Sequence, residues 1–180
     1  MSTRQGEAVL AANTIMLNLL MLAAYGLDGF AYAAEGLVGN AAGAGDLQHF
    51  RRVVKACWHW SVATAALMSA VFLVAVPPFY PLFTAHDNVI ELLLIYHPWL
   101  VALPVLAAPS YLLDGVFIGA ARTRYMMTSM LFSLAVVYLP AWYLLQGFGN
   151  HGLWLSFLAF NGARGASLWV YFRRLNHGGD

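Results

Sequence analysis

Five long apolar runs, each about the length needed to cross a bilayer, constrain this chain more than any other feature of its sequence. The hydrocarbon core of a membrane is about 30 Å thick, and an α-helix takes roughly 20 residues to cross it. The runs cover approximately residues 9–40, 53–76, 89–121, 126–145 and 152–172. Asp28 and Glu35 alone interrupt the first, the second stops at Pro77-Pro78, and the third carries Pro98, Pro104 and Pro109. Barrel strands would read instead as short alternating segments. The expectation is an all-α integral membrane protein, a single transmembrane domain over 1–180 with the lipid bilayer as its main partner. Composition closes off the soluble alternative. Only 9% of the 180 residues are charged and 61% are hydrophobic, whereas a soluble domain has about 25% charged residues to cover its surface.

The connections carry orientation. Arg51, Arg52 and Lys55 follow the first run, Arg122 and Arg124 the third, and Arg173-Arg174 the fifth. The other two connections hold His86, Asp87, Glu91, Asn150 and His151, with no Lys or Arg. Basic loops stay cytoplasmic, so the N-terminus is expected outside and the C-terminus inside, with Arg4 alone pulling the other way. The segment 1–7 has no signal-peptide character. Five spans with an external start imply a further helix ahead of Met1.

Several function classes drop out. A formal net charge of +1 without a clustered basic face excludes an electrostatic nucleic-acid partner. Cys57 is the single cysteine, and the histidines at 49, 59, 86, 97, 151 and 177 show no ligand spacing, so no metal site is expected. No nucleophile elbow, zinc-protease motif or phosphate-gripping glycine loop occurs, and no enzyme is expected.

The ionisable residues within the runs are the candidate functional groups. Charges in hydrocarbon are costly, so they face a cavity or a partner. Asp28 and Glu35 are seven residues apart and share a helix face with Tyr25 and Tyr32. Counting back from the basic loops puts Glu35, Asp114 and Arg164 at similar depth, with Asp28 about two turns (~10 Å) further in. Two readings stand together. The acids bind a proton, a cation or a cationic substrate, or Arg164 is a structural counter-charge to Asp114 or Glu35. Pro98, Pro104 and Pro109 each remove a backbone donor and are candidate helix breaks. Gly39 and Gly43 have the spacing of a close helix contact. Trp58, Trp60, Trp99 and Trp142 fit interfacial anchors. Tyr25-Gly26-Leu27-Asp28-Gly29 is echoed by Tyr111-Leu112-Leu113-Asp114-Gly115, which adds Tyr111 to the binding candidates.

The run from Arg4 to Asn13, then Leu27-Asp28-Gly29-Phe30-Ala31 and Ala34-Glu35-Gly36-Leu37-Val38-Gly39, resembles the multidrug and toxic compound extrusion (MATE) family, its DinF-like branch most of all. Gly43-Ala44-Gly45-Asp46, Leu113 to Gly119 and Gly152-Leu153-Trp154 extend the likeness over nearly the whole chain. The resemblance implies part of a six-helix lobe, one of two that rock against each other to export small organic, often cationic, compounds against a proton or sodium gradient. It implies a multi-pass protein of the bacterial inner (plasma) membrane with no cofactor beyond the coupling ion. The five runs look like the last five helices, with the first lobe a missing partner, and Asp114 falls where some members have a functional acid. The alternatives are a truncated fragment without transport, and a lobe of a related lipid-intermediate flippase.

Overall fold

Small and apolar side chains recur every three or four residues along the first run, at Ala8, Ala12, Met16, Leu19, Ala23 and Leu27 and onward at Ala34, Val38 and Ala41. Only a helix turns such a series to one side. In the computed structural model that side is the buried stripe of α1 (Ser2–Gly43), and the opposite side exposes Leu10, Leu17, Met21 and Leu22. The structure describes the backbone of residues 2–177 and the side chains of residues 6–174. Arg4 and His177, weighed above for orientation and metal spacing, therefore have side chains outside the described set.

The remaining elements are α2 (Leu47–Ala75), a one-turn α3 (Tyr80–Phe83), α4 (Asp87–Gly119), α5 (Thr123–Phe132), α6 (Leu139–Leu144) and α7 (Asn150–His177). A π-helical turn, Ser133–Tyr138, welds α5 to α6 into one rod. No strand occurs among the described residues. The helices outrun their apolar cores, because the polar first and last turns stay helical. α2 begins where the Asp46 carboxylate accepts the His49 N–H at 2.8 Å, and it ends at Ala75, with Val76 as its cap just before Pro77-Pro78.

Among the described residues, four stretches are long and apolar enough to cross a membrane: Gly6–Gly43, Leu47–Ala75, Asp87–Gly119 and Thr123–Leu144. The expected fifth span is a helix of 28 residues, but it falls short of that apolarity. Asn161 and Arg164 stand in its middle, and both turn inward: Asn161 is buried and Arg164 meets α4.

α1 and α4 are the central pair and run parallel. A Cβ added at Gly115 would lie 2.1 Å from the Ala31 carbonyl oxygen, and one at Gly119 would lie 2.5 Å from that of Glu35. Only glycine permits so close a backbone approach. The glycines with this role are therefore Gly115 and Gly119. Of the pair expected from spacing, Gly39 touches Gly119 at ordinary distance, while a Cβ at Gly43 would meet nothing.

α4 also corrects the proline expectation. It continues as α-helix through Pro98, Pro104 and Pro109 without a break. Pro98 is exposed, Pro104 is buried and Pro109 lies against Gly165 of α7. The interruption comes elsewhere, at the π-turn ahead of Pro140, where Leu139 N–H donates to Leu134 O. A residue inserted into the helical ladder adjacent to a proline is a recognised source of such bulges.

Burial divides along the bundle. One apolar core, containing Met16, Phe72, Tyr80, Leu93, Leu100 and Trp154, fills the end where α1 starts. A second, containing Val38, Val54, Val116, Phe117, Leu168 and Phe172, fills the end carrying the basic connections. Between them, among the described residues, only Leu27, Ala65 and Ala108 form a core, with Tyr111 against it. Asp28 and Asp114 border this thin waist, and Glu35 lies along the second core beside Ala34 and Val38.

Candidate functional site

Three helices bring the site together. On α4, Asp114 precedes Gly115, whose missing side chain lets α1 approach. On α7, Gly165 packs against Pro109 of α4, which carries its neighbour Arg164 up to the acid. Arg164 Nη2 donates to Asp114 Oδ2 at 2.5 Å, and the two side chains are 16% and 17% exposed. The Arg164 carbonyl accepts from Ser129 Oγ of α5 at 3.3 Å and from Ser167 Oγ of its own helix at 3.0 Å, and the two hydroxyls lie 2.7 Å apart.

The pair is only half satisfied. Asp114 Oδ1 and Arg164 Nε are buried without a hydrogen-bond partner among the described residues. A guanidinium fork can satisfy both carboxylate oxygens at once, and here it engages one. Asp28 adds a second carboxylate, close enough to act electrostatically on both Asp114 and Tyr111. No hydrogen bond or ion pair ties Asp28 to another described residue.

The expected depths change. Ala31 faces Gly115 and Glu35 faces Gly119, so Asp28 and Asp114 differ by two residues along the parallel pair, about 3 Å. Glu35 sits about five residues, or 7.5 Å, beyond Asp114. Counting back from the loops misplaced them because α1 extends past the point where α4 ends. Arg164 accordingly pairs with Asp114, and Glu35 is half-buried beside the Gly119 backbone.

Directly above the acids, α1, α4 and α7 leave a cleft of about 60 Å³ between Leu20, Ala24, Pro104, Tyr111, Phe157 and Asn161. Tyr111 and Asn161 supply its polar atoms. Asn161 Nδ2 donates to Phe157 O at 2.9 Å, leaving its own carbonyl oxygen as an acceptor. Tyr111 and Asp28 thus lie near Asp114, close enough for each to act on the others electrostatically. Tyr25 and Tyr32 do not: they are 65% and 73% exposed on the outer side of α1. Sequence reasoning missed Asn161, Ser129, Ser167 and the π-turn. The available signal was Ser129 and Ser133, four residues apart in an apolar run, which put hydroxyls on one face.

A clamp closes the far end. Asn13 and Asn150 exchange amide hydrogen bonds at 2.7 and 2.9 Å, and Trp154 Nε1 donates to Asn13 Oδ1 at 3.0 Å. This ties α1 to the start of α7 and holds the upper rim of the cleft together.

Comparison with known proteins gives a consistent picture. The MatE family model matches residues 1–144. DNA damage-inducible protein F of Escherichia coli (strain K12) is 39% identical over 179 residues, 97% of this chain and 38% of that protein. Protein DETOXIFICATION 44, chloroplastic, of Arabidopsis thaliana is 23% identical over 167 residues, 91% of this chain and 32% of the relative. The chain thus spans under two fifths of the curated relatives it matches. Among solved structures, the eukaryotic MATE transporter AtDTX14 superposes with a TM-score of 0.85 at 20% identity, covering 93% of this chain and 38% of that one. A Vibrio cholerae MATE transporter, VcmN, gives 0.83 at 22% identity, covering 97% and 40%.

Proposed function

The chain belongs to the MATE transporter family, and on that premise we propose that it forms most of one lobe of a secondary multidrug exporter of the DinF-like type. In this reading a second, complementary lobe closes the cavity. The bundle sits in a bacterial inner membrane with its basic end in the cytoplasm, which the positive-inside rule favours. Membership of a transporter family and a helical bundle of this kind speak for transport and against an enzyme.

The observation that carries the reading is two carboxylates beside one guanidinium at the waist of the bundle, Asp114 paired with Arg164 and Asp28 close enough to act on Asp114 electrostatically without an ion pair among the described residues. With Asp28 and Asp114 both ionised and Arg164 charged, the group has one negative charge in excess. That excess is the stoichiometry for one proton or one small cation, and buried charge in a membrane protein is ordinarily functional. Asp114 Oδ1, the unused acceptor, is where a proton or a cation's first contact would go. The cleft lined by Tyr111 and Asn161 has a volume of about 60 Å³, enough for an ion or water, so substrate is taken in the larger cavity that the second lobe completes, and competition between substrate and ion for the excess charge makes the exchange an antiport.

A phosphate-bearing lipid substrate would need a free cation in the cleft, and Arg164 is already bound to Asp114. The exporter reading is tested by expressing this chain with and without a DinF-type first lobe in cells lacking their main efflux pumps, then following dye efflux. Efflux requiring both halves and collapsing when the ion gradient is dissipated is the expected result. Gradient-independent leakage, or no efflux from the pair, overturns it.

A further inference from the structure

The large, non-aromatic apolar side chains exposed on α1 are Leu10, Leu17, Met21 and Leu22, then Leu37. Between Leu22 and Leu37 the exposed positions are Tyr25, Gly29, Tyr32, Ala33 and Gly36. Neither tyrosine hydroxyl has a hydrogen bond among the described residues. Tyr25 stands near the middle of a helix of 42 residues, too deep for the interfacial belt in which tyrosine anchors a span. A phenol facing acyl chains there would leave its hydroxyl unsatisfied, which is costly. This part of α1 therefore borders water or a polar ligand. Asp28 lies between the two tyrosines. At about 100° per residue it stands within about 60° of both around the helix, on the side toward Asp114, and Gly29 flanks them on the other side. A Cβ added at Gly29 would meet nothing within 4 Å. Unlike Gly115 and Gly119, this glycine serves no helix contact within the bundle, and it leaves the surface beside the rings open.

We propose that Tyr25, Asp28 and Tyr32, with Gly29 as the floor, form a subsite for an organic cation of fixed charge, such as a quaternary ammonium group on an aromatic frame. The proposal rests on the exporter reading above and adds to it the place where the substrate's charge is held. Two features select this ligand. Tyr25 and Tyr32 are seven residues, about 10 Å, apart along the axis, and side chains on a helix lean the same way, so the rings keep that spacing. A cation midway lies within the roughly 6 Å of each ring at which cation–π attraction acts. The Asp28 carboxylate has no ion pair among the described residues, so its charge is open to a ligand. A proton or small metal cation gains nothing from the two rings that the buried Asp114 Oδ1 does not supply better. A quaternary cation, with no N–H to satisfy, gains from both rings and the charge. Asp28 also acts on Asp114 electrostatically, so a cation seated here weakens the hold of Asp114 on its own proton or ion.

The test is equilibrium binding of ethidium, a quaternary aromatic cation, to the purified 180-residue chain in non-ionic detergent, read by fluorescence anisotropy with no gradient and no transport. Saturable binding is expected. Asp28→Asn should raise Kd about tenfold. Tyr25→Leu and Tyr32→Leu should each raise it about threefold to tenfold, the range for one ring against a cation. Tyr25→Phe and Tyr32→Phe keep the rings and should stay within about twofold. Gly29→Leu should block the subsite, while Gly43→Leu, the same change in open space at the end of the helix, should not. Every position in the set is at least partly exposed, so helix content by circular dichroism should not change. Wild-type affinity in Gly29→Leu or in both leucine variants overturns the proposal, as does the absence of saturable binding to the unaltered chain. So does loss of binding once a DinF-type first lobe is assembled with the chain, which would mean that a helix of that lobe covers this face. Failure of the exporter reading looks different: ethidium binds with the expected pattern of variants, and the two-lobe assembly shows no efflux.

Discussion

Asp114 and Arg164 stand fifty residues apart in the chain and meet through one contact, Nη2 to Oδ2, while Oδ1 of the acid and Nε of the base are buried without a hydrogen-bond partner among the described residues. The pair is therefore a charge match with hydrogen-bonding capacity left over, an arrangement less settled than a bidentate fork. Its consequences can be measured.

Removing one partner is worse than removing both, because the survivor is an uncompensated charge at low dielectric. Arg164→Gln is expected to cost about 3 kcal/mol of stability. Combining it with Asp114→Asn should recover most of that loss. Thermal unfolding midpoints in detergent for the two singles and the double give the comparison. Additive losses would mean that the contact is not coupled.

Transport should depend on the acids unequally. In the reconstituted two-lobe exporter, Asp28→Asn and Asp114→Asn are each expected to lower gradient-driven dye efflux at least about tenfold, the scale of one lost charge interaction of roughly 1.4 kcal/mol. Glu35→Gln should leave it within about twofold. Wild-type efflux in the Asp114→Asn variant would remove that residue from the mechanism.

The α1–α4 contact predicts a contrast between glycines. Gly115→Ala would press a Cβ against the Ala31 carbonyl, a 2.1 Å approach that neither backbone can relieve by a rotamer change. An overpacking cost of about 1–3 kcal/mol is expected. Gly43→Ala, with open space around it, should be neutral or slightly stabilising. Both are read from unfolding midpoints.

Ser133, in the π-turn, buries a hydroxyl with no partner among the described residues. Replacing an unsatisfied buried polar group by an apolar one is neutral or favourable. Ser133→Ala is expected to keep or raise the melting midpoint, by up to about 1 kcal/mol equivalent. A marked loss would show that the hydroxyl has a partner in the membrane.

The start of α2 carries a pH dependence. The backbone N–H of His49, before all other causes, holds the Asp46 carboxyl below its ordinary value of 3.8. The folded pKa is depressed, so the cap is fully present above that value and is lost as pH falls through the folded one. Amide protection in the first turn of α2 should drop in this acid range. In Asp46→Ala it should already be low at neutral pH and show no such transition. An unchanged acid transition in the variant would assign it to another group.

Much of this was legible beforehand. Uninterrupted apolar runs of some 20 residues leave the backbone no option in lipid except to satisfy its own hydrogen bonds as helix, and Pro77-Pro78 marks a helix end wherever it occurs. The motifs around Asp28, Glu35 and Asp114 pointed to the right family. The prolines of α4 misled, because the helix continues through all three, at the exposed Pro98 as at the buried Pro104. The weakest apolar run, α7, was read as a span like the others, yet it carries Asn161 and Arg164 toward the interior.

Sequence alone determined the helices, the membrane as their solvent and the shortlist of charges, since hydrophobicity and helix length act residue by residue along the chain. Which acid Arg164 would meet was left open between Asp114 and Glu35, and the depths inferred from the loops were wrong. Only tertiary packing decided those points. Gly115 and Gly119 set the register of α4 on α1, and Gly165 against Pro109 sets that of α7 on α4. Register between helices is a matter of backbone approach at a few small residues, and a linear pattern of apolar and charged positions does not encode it.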